Sequence, residues 1–172
     1  MPFSQPPGAD EYAPFYDTYV SLVPPGNILE TLRREHRRTA QLLGPLDEAK
    51  ALHRYAEGKW SIKELVGHLV DTERIFAFRA LCFARLDPNP LPGMEQEPYV
   101  EAAAFDRRPL ASLLKEWDLV REANLELFAS WDEETLGRQG QASGFDFTVR
   151  ALVHIIAGHE LHHRRILEER YL

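Results

Sequence analysis

The sequence predicts an all-α protein: a four-helix bundle with long crossover connections and an extended N-terminal arm. Three observations carry that expectation. Four stretches repeat apolar residues at helical spacing, none shows the sustained alternation of a strand, and the connectors are longer than those of a simple up-and-down bundle. Length agrees, because 172 residues at 44% hydrophobic can bury one sizeable core but hardly two.

Residues 1–26 carry six prolines and five aromatics, a composition that forbids a long helix and supplies rings for packing. This segment is expected to lie as an extended arm over a bundle formed by residues 27–172. The first helix is predicted over Asn27 to Leu43, with Ile28, Leu29, Leu32, His36, Ala40 and Leu43 on one face. The second opens on a capping box, Ser61 and Glu64, which satisfies free N–H groups at the helix start, and runs to about Leu86. Its stripe is Leu65, Leu69, Phe76, Ala80 and Phe83. Pro109 suits the first turn of the third helix, whose stripe is Leu113, Leu114, Trp117, Val120, Asn124, Leu127 and Phe128. The fourth begins near Thr148 and reaches the C-terminus. The connector Asp87 to Arg108 contains LDPNPLPGMEQEPYV, whose prolines and glycine favour an ordered loop able to cover a site.

Charge narrows the partners. Twenty Lys and Arg against 27 Asp and Glu leave a net charge of -7, which repels phosphate backbones. No nucleic-acid or membrane partner is expected, and a small-molecule substrate fits better. Cys82 is the single cysteine, so no intrachain disulfide can form and a reducing, cytoplasmic setting is expected. The opening MPFSQPPGADEYAPF lacks the order of a signal peptide, and no stretch approaches the ~18 apolar residues of a membrane span.

The stretch AGHELHHRRIL carries the chemistry. At roughly 100° per residue, His159 and His163 continue the stripe of Val149, Leu152, Val153, Ile156 and Leu167. Two imidazoles on consecutive turns of a buried face can converge on one ion, and each would otherwise need its own polar partner in an apolar layer. His162 lies to one side, His154 points nearly opposite His163, and His53 falls in a connector, so these three are expected at the surface or behind the ligands. A third ligand must come from a facing helix. His68, at the edge of the second stripe, is the favoured choice and His36 the rival, with Glu64, Asp71 or Thr72 placed to hold the other nitrogen of His68. Glu73 falls inside an apolar stripe and needs Arg121 or Asn124 as a partner, while Cys82 is too far along its helix to share the ion and should be core.

His159, Glu160 and His163 also spell the HExxH of zinc proteases, the remote alternative. The extended form of that motif needs Gly and His where Ile166 and Glu169 stand, and the wheel position of Glu160 allows a hydrogen bond inside the bundle instead.

Taken together, WSIKELVGHLVDTE, LPGMEQEPYVEAAAFDRR and TVRALVHIIAGHELHHRRILEERYL resemble the DinB-like superfamily of metal-binding four-helix bundles, to which bacillithiol transferase-like proteins belong. The resemblance covers residues 28–172. It implies a divalent metal, zinc or nickel, on His68, His159 and His163, and a homodimer. It further implies a metal-dependent thiol S-transferase of the bacillithiol or mycothiol type, or a related hydrolase, with a low-molecular-weight thiol as a further cofactor. The alternative is a non-catalytic, metal-stabilised helical binding or dimerisation module.

Overall fold

In the computed structural model, which describes residues 2–172, helices dominate as expected. In chain order they are α1 (Asp17–Val20), α2 (Ile28–Leu43), α3 (Glu48–Ala51), α4 (Ile62–Ala84), α5 (Gln96–Ala103), α6 (Leu110–Ala129), α7 (Glu133–Leu136) and α8 (Val149–Ile166), the last continued by a wider turn, Leu167–Tyr171. Both halves of the Ser61 and Glu64 capping box form at the start of α4. Pro109 is the cap of α6, one place before its first helical residue.

Two apolar clusters fix the direction of each long helix. Ile28 and Leu32 join Ala80, Phe83, Leu125, Phe128, Val149 and Leu152 in one, while Leu43 joins Leu65, Leu69, Leu113 and Leu167 in the other. Hence α2 and α8 run one way and α4 and α6 the other. Contacts of α2 and of α4 with both α8 and α6 close the ring α2, α8, α4, α6. Since α4 and α6 are parallel neighbours, the chain between them must travel back along the bundle, and residues 85–109 do so. This is the one connector that spans the length; those at 44–61 and 130–148 turn at a single end. The returning segment is pinned where the Leu91 N–H donates to the Gln141 carbonyl and the Ser143 N–H to that of Leu91, and again where the Phe105 ring sits over Gly67.

A short hairpin was not expected. Strands β1 (Gln139–Ala142) and β2 (Phe145–Thr148) pair antiparallel in the register Gln139 with Thr148 and Ala142 with Phe145. Ser143 and Gly144 both take positive φ, 54° and 81°, the two-residue turn whose twist matches paired strands. Its tip reaches the cavity described below.

The arm lies over the body but is not extended throughout: it makes a 3-10 turn, Pro14–Tyr16, and then α1, which packs on α8. Glu11 anchors it, accepting from the Thr148 hydroxyl at 2.6 Å, and the Tyr16 ring meets Phe76 and Phe147 edge-on. Close approach depends on Gly158, where an added Cβ would stand 2.1 Å from the Tyr19 carbonyl oxygen. Backbone cannot yield as a flexible side chain does. Gly158→Ala should therefore cost about 1–3 kcal/mol and loosen the arm. Thermal denaturation and limited proteolysis before residue 27 check this; an unchanged midpoint with an equally resistant arm would refute it.

Candidate metal centre

The α4 cap sets the phase of the helix so that His68, in its second turn, faces α8, where His159 and His163 stand one turn apart. The three side chains are 2%, 6% and 9% exposed. Their Nε2 atoms converge: His159 Nε2 lies 3.2 Å from that of His68 and 3.0 Å from that of His163. A tetrahedral ion with bonds of ~2.1 Å separates its ligands by about 3.4 Å, so the donor set fits one small divalent cation with little adjustment. All three ligand atoms lie within 4.8 Å of one another, and among the described residues no fourth His, Cys or carboxylate joins them.

Protonation favours the same arrangement. Burial pushes the His68 imidazole down to about 4, and burial followed by the neighbouring imidazoles holds His159 and His163 well below the ordinary histidine range. All three are neutral near pH 7, the form that offers a lone pair. The Thr72 hydroxyl donates to the His68 carbonyl at 2.6 Å and lies 3.4 Å from His159 Nδ1. With its proton so committed, Thr72 accepts from His159 Nδ1–H, which leaves the Nε2 lone pair of His159 directed at the cluster. Thr72 thus supports His159 and not His68. His68 Nδ1 and His163 Nδ1 are buried without partners, while Glu64 turns to the Ser61 N–H and Arg54.

The other histidines separate as follows. His36 is not a ligand: its Nε2 meets Asp118 Oδ1 at 2.6 Å and its ring stands against Trp117. His154, expected at the surface or behind the ligands, is 4% exposed and is in neither place, with Nδ1 2.9 Å from the Arg150 carbonyl, because α8 is covered on every side over residues 149–160. His53 is exposed and His162 half-buried against Tyr19. Cys82 is only half-buried, at the edge of the first apolar cluster.

Beneath the histidines lies a buried ion network. Arg121 donates through Nε and Nη2 to the two oxygens of Glu73, each at 2.8 Å, and through Nη1 to Glu160 and the Leu32 carbonyl, also at 2.8 Å. Trp117 and Asn124 complete Glu73, and Thr39 donates to Glu160 at 2.7 Å. The expected pairing of Glu73 holds with both proposed partners. Glu160 spends both oxygens here, so it is not a free base of the protease kind.

On the open side the histidines face a cavity of about 360 Å³ lined by His68, Thr72 and His159 at one end, by Phe15, Tyr16, Tyr19 and Phe76 along its wall, and by Arg79 and Ser143. Met94, Glu95 and Gln96 border it, so the returning connector covers the site as expected. His163 and Trp60 line a second cavity of about 190 Å³ toward Tyr55 and Tyr171. Sequence reading missed Arg79 and the aromatic wall. Arg79 stands eleven places after His68, three turns on the same face, so its spacing carried the signal.

A helical bundle enclosing an open three-histidine cluster is the class that fold and site define. The sequence profile of the DinB superfamily matches residues 31–167, and the chain belongs to that superfamily. Two solved structures share the fold. YfiT from Bacillus subtilis, described as a probable metal-dependent hydrolase with an unusual four-helix bundle topology, superposes with a TM-score of 0.72 at 13% identity over 83% of this chain and 82% of YfiT. The DinB-like protein YjoA from Bacillus subtilis gives a TM-score of 0.61 at 21% identity over 83% of this chain and 87% of YjoA. No protein of curated function matches the chain. Among the described residues, no helix is long and apolar enough to cross a membrane.

Proposed function

We propose that His68, His159 and His163 hold one divalent cation, zinc or nickel, and that the protein is a metal-dependent thiol S-transferase or a related hydrolase. The carrying observation is a three-donor cluster with no fourth His, Cys or carboxylate ligand among the described residues, open to a cavity large enough for a substrate. A structural ion is normally closed by four protein ligands, whereas a catalytic one keeps a position free. A cation held here would favour the deprotonated form of a thiol or water arriving from that side. The chain's own part is to present three neutral imidazoles, to fix the His159 tautomer through Thr72, and to limit water with Trp60, Tyr19 and Phe76. Two cavities, one reaching His68 and His159 and the other His163, support a reaction with two substrates, one of them a low-molecular-weight thiol. YfiT's description favours the hydrolase branch. A homodimer follows from the family resemblance, and a cytoplasmic setting from the lone cysteine.

The test is metal content of the purified full chain, joined to screens of thiol conjugation and of ester and amide hydrolysis. One equivalent of metal is expected, with turnover that chelation abolishes and added zinc or nickel restores. A chain that retains metal but turns over nothing would be the binding or dimerisation module, and one that retains none would remove the centre.

A further inference from the structure

Among the described residues, buried cations are paired with carboxylates, with one exception. Arg121 has Glu73 and Glu160, Arg150 has Glu133, and Lys63 has Glu48. Arg79 is 4% exposed and has no carboxylate within ion-pair distance among the described residues. Among the described residues, Nη2 donates to the Pro92 carbonyl at 2.8 Å and the Ser143 hydroxyl at 3.1 Å, and the Tyr16 hydroxyl is the remaining side-chain partner of the guanidinium. An unpaired charge in such a place is expensive, all the more unexpected in a chain with seven surplus acidic groups.

The guanidinium borders the histidine cavity. Eleven residues beyond His68, Arg79 returns to within about 20° of the same face of α4, and a helical side chain leans back toward the N-terminus, here toward the histidines. Its guanidinium carbon is 5.7 Å from the Phe76 ring centre, and that ring is 6.3 Å from the His159 ring. One aromatic side chain therefore separates the guanidinium from the His159 imidazole. Tyr16 lies beside Arg79 and, with Phe15 and Tyr19, extends the apolar wall between the two polar ends. No other Lys or Arg lines the cavity, and Glu95 at its exposed rim disfavours a second negative charge near the mouth.

We propose that Arg79 is the anion-recognition residue of this cavity and that the natural ligand is a small organic monocarboxylate with an apolar or aromatic body. The acid group supplies the carboxylate partner that the guanidinium lacks among the described residues, through a charge-assisted hydrogen bond. The body lies along Tyr16, Tyr19 and Phe76. The far end reaches His68 and His159, where any reaction rests on the function proposed above. A single guanidinium matches a monoanion; a phosphate dianion would call for more cations than this cavity holds.

Calorimetric titration of the full chain, as purified and after chelation, with 3-phenylpropionate, 3-phenylpropionamide and phenyl phosphate tests the site without any turnover. The acid is expected to bind at least tenfold more tightly than the amide in both metal states. Arg79→Met should remove that difference, and Arg79→Lys should keep part of it. Equal binding of acid and amide, no measurable binding of the acid, or a preference that survives Arg79→Met overturns the proposal, and tighter binding of phenyl phosphate overturns the carboxylate class. If Arg79→Met does not fold, the wild-type comparison and Arg79→Lys still decide. A chain that holds no metal yet keeps the preference would lose the proposed enzyme and retain this site; the reverse result would spare the enzyme and remove the site.

Discussion

Replacing Arg121 with alanine should destabilise the protein by about 3–5 kcal/mol, the range for breaking a buried ion pair from one side. Arg121 is 2% exposed, Glu73 3% and Glu160 1%, and its removal strands two carboxylates in the centre of the bundle. The cost is that of the orphaned charges more than of the bonds lost. A triple variant, Glu73→Leu, Arg121→Met, Glu160→Leu, should therefore recover much of the loss, because an apolar set of similar volume avoids the desolvation altogether. Denaturant titration of the three proteins decides the matter; a triple variant no more stable than Arg121→Ala would show that the network, and not charge burial, holds this layer.

The same network gives a signed pH dependence. Burial alone would raise the Glu73 carboxyl, but Arg121 beside it, with Trp117 and Asn124 donating, reverses that and holds it below the ordinary glutamate value of 4.5. A depressed folded-state pKa stabilises fully above that value, and the contribution fades as acid carries the pH down through the folded one. In Arg121→Ala burial stands against only the neutral donors Trp117 and Asn124, so the folded carboxyl rises and the variant is relieved by protonation. The stability gap between wild type and variant should accordingly narrow from pH 7 toward pH 4. A gap that widens over that interval would contradict the assignment.

The centre of the fold was legible because apolar spacing on α8 and the edge position of His68 on α4 both follow from helix geometry. The third stripe was read off-centre. Leu114, Val120 and Leu127 are half-buried, while the packed line is Leu113, Trp117, Arg121, Leu125 and Phe128. An arginine whose charge is matched packs like a core residue, and hydropathy alone counts it as an interruption. The hairpin was hidden for a different reason. Gln139 to Ala142 has no alternating apolar face, since β1 is held by its pairing with β2 and with Leu91, and only the Ser-Gly turn could have announced it. His154 was misplaced because a helix wheel assumes a wet side, whereas α1, α2, α4 and α7 surround α8.

For the proposed centre, His159→Ala should weaken zinc binding more than any other single change, by at least ~100-fold, beyond what loss of a mere supporting partner costs. His159 is the residue whose Nε2 contacts both other ligands, so its removal leaves His68 and His163 without a common vertex. Thr72→Val should cost about tenfold, because the imidazole stays in place but loses the acceptor that fixes its tautomer. Competition against a zinc-chelating dye measures both. Folding supplies a second readout: free zinc at a hundred times its dissociation constant should stabilise the wild type by about 2.7 kcal/mol and leave His159→Ala unmoved. Comparing each protein with its own chelated form removes any effect of the alanine on packing. If His159→Ala still holds zinc within tenfold of wild type, the convergence of the three imidazoles is a packing arrangement and not a ligand set.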